Sequence, residues 1–221
     1  MTEVARFFQA GGSLMYVNLL VAVIGLTVVA ERFYVLKFRL NLDVRSFLEA
    51  IEKFVMAGNY DRAVKLCGTR AEAALPKVVR AGLSNARKGG SAVTAALEEA
   101  MAEVSPRVTK RAGLLFGIAN IATLIGLIGT IFGLIDVFAA QAMAAPDQKS
   151  AMLTAGIAHA MNNTAFGLGI AVTCIIFHLI LSASARTIME GLEYGALRLE
   201  NIIAKRRLME ASGQATTSDE G

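Results

Sequence analysis

The chain has no tryptophan, only two cysteines and only three prolines in 221 residues. Cys67 and Cys174 stand far apart, with no CxxC spacing and no histidine partner nearby. That excludes a disulfide framework and leaves a metal site without ligands. No Ser/His/Asp arrangement, HExxH, phosphate loop or pair of carboxylates at catalytic spacing occurs, so the chain reads as neither an enzyme nor a cofactor carrier. The most telling scarcity is charge. From Gly113 to Ala145 the only charged side chain is Asp136, and from Ala151 to Ala185 there is none, only His159 and His178.

What fills those stretches is apolar. A membrane-spanning helix needs roughly 20 such residues, and each stretch exceeds that, reaching about 50 Å as a helix. A third apolar segment begins at Ser13 and ends abruptly at Glu31-Arg32. Its long core and the absence of a convincing small-residue cleavage site make it a retained span rather than a signal peptide. With 55% hydrophobic residues, the chain is expected to be an all-α membrane protein of three transmembrane helices. The second and third are expected to extend into the cytoplasm beside a helical cytoplasmic segment.

Orientation follows the basic residues. Fifteen Lys or Arg lie from Arg32 to Arg111 and five more from Arg186 onward, whereas the amino-terminal tail has only Arg6 and the 146–150 turn only Lys149. The expected plan is a periplasmic segment 1–12, a first span 13–35, a cytoplasmic segment 36–112, a second span 113–145 and a periplasmic turn 146–150. A third span 151–185, a cytoplasmic helix 186–210 and a disordered tail 211–221 follow. The net charge of +4 is explained by topology and by attraction to anionic lipid headgroups, with no need for nucleic acid.

Within 36–112 the pattern is helical. Asp43 is a plausible N-cap for a helix through Phe47, Leu48, Ile51, Phe54 and Val55 that stops near Gly58. Asn59 is placed to cap a short helix ending near Gly68. Another covers about 71–87, and one starting at Ser91 passes Pro106 toward the second span. Val93, Leu97, Met101 and Val104 form its apolar stripe, with Glu98, Glu99 and Glu103 outside. After the third span Leu192, Leu199, Ile202 and Ile203 alternate with charged residues.

The polar residues inside the spans need separate reasons. Gly126, Gly129 and Gly133 make a small-residue face that lets helix backbones approach in lipid; simple packing within the hairpin explains it equally well. Asn162 and Asn163 are adjacent and therefore about 100° apart on a helix, so they need a helix neighbour on one side and a polar or aqueous contact on the other. If the turn centres near Asp147, Thr130 and Thr164 lie level. Either they share a polar ring or each bonds its own helix at i−4. Asp136 and His159 are nearly level in the same register. They could pair within one hairpin or between copies, or remain two independent hydrated groups.

At this point the residues resemble a known family. Gly126-Leu-Ile-Gly-Thr130-Ile-Phe-Gly133-Leu-Ile-Asp136-Val-Phe138 resembles the second-span signature of the ExbB/TolQ family, GLxGTVxGIxxxF. Ala158 to Val172 resembles its third-span signature, with Thr164-Ala-Phe-Gly167-Leu at the core, and Glu31-Arg32 with Leu36 resembles its ER-x-x-x-L. The resemblance implies a proton-driven energy-transducing subunit of the bacterial inner membrane. It implies a homopentamer around two single-span ExbD/TolR-like subunits that carry a protonatable Asp, with Thr130 and Thr164 lining the pore. It leaves open a non-conducting scaffold for the same partner helices. The chain departs from the pattern at His159, where an acidic residue is expected, at Thr173 in place of a proline, at His178 in place of an asparagine, and at Asp136, a position not usually acidic.

Overall fold

The computed structural model describes residues 12–40, 42–70, 72–143 and 145–218. Seven α-helices occur among them: α1 Ser13–Tyr34, α2 Val44–Met56, α3 Tyr60–Gly68, α4 Ala74–Ser84, α5 Gly90–Thr109, α6 Ala112–Met143 and α7 Lys149–Ser218. A π-helical segment, Val35–Leu40, follows α1. No strand occurs among the described residues. Three helical stretches are long and apolar enough to cross a membrane. The expected amino-terminal segment lies outside the described residues up to position 11, as do positions 219–221. The helix α7 continues through 211–218, where the Ser, Thr and Gly content leads one to expect disorder.

Two compact units divide the chain. The first comprises the chain up to Phe33 together with Arg111–Leu181. Its core joins small residues of α6 and α7, Ala119, Ala122, Ala171 and Cys174, to Val21 and Ala22 of α1. A side chain is absent at Gly25 for a steric reason, since a Cβ there would lie 3.1 Å from Cys174 Sγ. Outward from this core, Leu20, Leu26, Phe132, Leu168 and Leu179 are exposed. Such a continuous apolar exterior suits lipid and not water. At one end Arg111 bonds both carboxylate oxygens of Glu31.

The second unit comprises Tyr34–Lys110 and the chain from Ser182. Its apolar stripes bury as their spacing predicts: Leu48, Ile51 and Val55 of α2, Val93, Leu97 and Val104 of α5, and Leu192, Leu199, Ile202 and Ile203 of α7 are all inside. Asp43 caps α2, its carboxylate accepting from the Arg45 N–H at 3.1 Å and the Ser46 N–H at 3.5 Å. Gly58, at φ +76°, reverses the chain after α2, a conformation costly for any residue with a Cβ. Asn59 precedes α3 but makes no side-chain capping bond. The helix expected over 71–87 is shorter, Ala74–Ser84, with Pro76 tolerated in its first turn. The helix through Pro106 also does not run on into the second span. It ends at Thr109, and Arg111 adopts φ +60° before α6 begins.

Polar ties secure this unit at its surface. Arg198 bonds Glu52 at 2.9 Å, Arg206 donates to the Met56 carbonyl at 2.9 Å, and Arg207 donates to the Ala86 carbonyl. Burial pushes the Cys67 thiol up to about 11, against a weaker opposite pull from Arg80. Its proton leaves the unfolded chain near 9 but the folded chain only near 11, so the stability it contributes is complete below the first value and lost as pH rises through the second. Stability should therefore fall as pH climbs across that window, by at most about 3 kcal/mol, and the thermal midpoint with it. Cys67→Ala should flatten the decline, and an equal decline in the variant would refute the assignment.

Candidate intramembrane polar site

The site lies within the first unit, where α6 and α7 form an antiparallel hairpin. Glycine sets their separation. A Cβ on Gly126 would lie 3.2 Å from Thr164 Cα, and one on Gly133 2.9 Å from Ala160 Cβ. A Cβ on Gly129 would overlap the Asn163 carboxamide, and one on Gly156 would overlap Val137. On α7, a Cβ on Gly167 would come 2.6 Å from the Ala122 carbonyl oxygen and 3.1 Å from Gly126 Cα. These pairs share one register, the one that a turn centred at Asp147 dictates. The turn is found there, between Met143 and Lys149.

That close approach brings two hydroxyls together. Thr130 and Thr164 are hydrogen-bonded to each other through their Oγ1 atoms. Thr164 also donates to the Gly126 carbonyl of the opposite helix at 2.9 Å. Thr130 lies 3.3 Å from the Ala160 carbonyl and 3.2 Å from its own Gly126 carbonyl. Thr130 has a single proton, so with Thr164 donating to Gly126 that proton completes the bond between the hydroxyls, and the two carbonyls near Thr130 are alternative acceptors for it. Each hydroxyl has one proton and two lone pairs, so with the protons directed onto carbonyls and each other, accepting capacity remains.

The other expected residues fall in different places. Asp136 and His159 are both exposed, and no hydrogen bond or ion pair joins the two within the chain. Their faces point away from the hydroxyl pair, as helical spacing from Thr130 and Thr164 requires. Asn162 is half-buried, whereas Asn163 is 1% exposed. The aromatic ring of Phe116 lies 6.1 Å from His178. No cluster of three metal-ligating side chains occurs among the described residues.

One residue escaped the sequence reading. Asn18 of α1 is 0% exposed, and its carboxamide, like that of Asn163, has no hydrogen-bond partner. Its signal was available: an asparagine within an otherwise apolar span is costly and asks for a reason. Leaving a buried polar group unsatisfied costs about 1–3 kcal/mol, so the two asparagines are a substantial anomaly in an otherwise well-packed unit.

A hydroxyl pair held in a glycine-lined seam between two membrane-length helices defines a class: an all-helical membrane protein with a polar focus inside an apolar unit. Residues 70–194 match the profile of the MotA/TolQ/ExbB proton channel family. The chain belongs to that family. It is also similar to a protein of Methanothermobacter thermautotrophicus described as a biopolymer transport protein ExbB homolog, at 24% identity over 169 residues, 76% of this chain. The matched region spans 59% of that relative's length.

Proposed function

We propose that the chain is the channel-forming subunit of a proton-driven motor in the cytoplasmic, or inner, membrane. It couples proton flow to work on a partner across the envelope. The observation that carries this reading is the Thr130–Thr164 pair in its glycine seam. Membership of a proton channel family supports it. The proposed assembly is a pentamer around two ExbD/TolR-like single-span subunits, with the amino terminus outside and the second unit in the cytoplasm.

The chemistry follows from the cost of charge in lipid. A partner's transmembrane carboxyl crosses apolar zones protonated and ionises only beside polar groups or water. Threonine hydroxyls can solvate the carboxylate without presenting a fixed positive charge that would trap it. Gain and loss of the proton then bias where the partner helix rests. The test is proton uptake by vesicles holding this chain together with a single-span protein bearing a transmembrane Asp. Uptake driven by an imposed pH gradient, abolished by Asp→Asn in the partner, is expected. Stable co-purification without proton uptake would favour the scaffold.

Asp136 and His159 enter this reading at the boundary between copies. Each is exposed on its own chain, so each is available to a neighbour. A double-mutant cycle with Asp136→Asn and His159→Gln, read out as stability of the assembly, should show coupling of about 1 kcal/mol. Additive effects would mean two independent hydrated groups.

A further inference from the structure

We propose that the interior of the three-helix unit holds bound water, hydrogen-bonded to Asn18 of α1 and Asn163 of α7 and lying against the Thr130–Thr164 pair. The starting point is the two buried carboxamides, 0% and 1% exposed, whose four polar atoms have no partner. Their own chain encloses them. No neighbouring subunit and no partner helix can reach them while the three helices stay packed, so whatever completes their hydrogen bonding must fit inside the unit.

The chemistry of the carboxamide selects the ligand. Each presents two N–H donors and one accepting oxygen. A bare cation would answer only the oxygens, and an anion only the N–H groups. Neither would find a countercharge: Asp136 and His159 are exposed, and Glu31 and Arg111 engage each other. A small neutral molecule that both donates and accepts answers both carboxamides. Water does this, and buried waters typically serve such otherwise unsatisfied groups.

The placement ties the two asparagines to one seam. The position a Cβ would take on Gly167 is 3.0 Å from Asn18 Nδ2, and the one on Gly129 coincides with the Asn163 carboxamide. Gly126 lies along the same seam, its Cβ position 3.2 Å from the Asn163 backbone carbonyl oxygen and 3.4 Å from Gly167 Cα. Asn163 and Gly167 are about one helical turn apart. Asn163 and Gly129 are the sequence neighbours of Thr164 and Thr130, which puts water at Asn163 at the level of the hydroxyl pair in the hairpin. The free lone pairs of those hydroxyls can accept from it. The pair thereby gains a water contact from within the protomer. The water site itself stands independently of the channel reading; only its consequence for conduction rests on it.

The test uses the full chain, uniformly labelled with ¹³C and ¹⁵N, in lipid nanodiscs. Solid-state NMR transfers magnetisation from water to the side-chain NH₂ groups, each assigned through its own carbon shifts. The signals of Asn18 and Asn163 should build up as fast as that of half-buried Asn162. Build-up as slow as at the buried methyls of Leu115 overturns the proposal. So does a direct contact between the two carboxamides with no transfer from water. Proton uptake by vesicles is measured on the same preparation with its partner. A dry interior in a conducting complex counts against the water site alone, and a wet interior in a non-conducting complex counts against the channel reading alone.

Discussion

Gly167→Ala should destabilise the first unit by about 3 kcal/mol, whereas Gly169→Ala, two residues away in the same motif, should be neutral or slightly stabilising. The contrast is geometric. A methyl group on Gly167 would meet the Ala122 carbonyl oxygen at 2.6 Å and Gly126 Cα at 3.1 Å. Both are backbone atoms and cannot turn aside, so α6 and α7 must part. A methyl group on Gly169 meets nothing within 4 Å. There the substitution only removes glycine's helix penalty, about 1 kcal/mol. Parting the hairpin has a second consequence, because the Thr164 bond to Gly126 depends on the same approach. Gly167→Ala should therefore lower the thermal midpoint of the purified chain and weaken the hydroxyl pair together. Equal effects from the two substitutions would show that the seam is not closed where the geometry puts it.

How much of this was legible beforehand depends on the kind of constraint. The hairpin register was, because the polar turn at 146–150 fixes one end of two antiparallel helices and 1.5 Å per residue does the rest. Thr130 and Thr164 therefore fall level in sequence and bond in space. The stripes of α2, α5 and α7 were legible because burial follows the 3.6-residue period. The break at Lys110–Arg111 was not, since no glycine or proline marks it and the ion pair between Arg111 and Glu31 joins residues 80 positions apart. Nor was the isolation of Asn18 and Asn163. Which face of a span turns inward is decided by three helices together, and an all-round apolar helix carries little phase information. Asp136 and His159 show the same limit from the other side: their level was readable, but their exposure depends on the facing set by the glycine seam.

The threonine pair offers the second large effect. Thr130→Val with Thr164→Val preserves shape but removes both hydroxyls. The carbonyls that lose a donor, Gly126 and Ala160, belong to helical ladders, so the loss of stability should be only about 1 kcal/mol per hydroxyl. Conduction should suffer more. A hydrogen bond to an ionised group contributes about 1.5–3 kcal/mol, and each 1.4 kcal/mol is a factor of ten in rate. Two such bonds withdrawn from a carboxylate passing through the pore should slow proton transfer by at least about tenfold. Thr130→Ser with Thr164→Ser, which keeps the hydroxyls, should retain most of the activity.

Proton uptake by vesicles containing the complex of the Thr130→Val, Thr164→Val chain with its single-span partner is the most direct measurement. Expected is an intact complex, recovered with its partner in wild-type proportion, whose uptake is reduced at least about tenfold and restored by the serine pair. Wild-type uptake from an intact valine complex would contradict the role assigned to the hydroxyl pair.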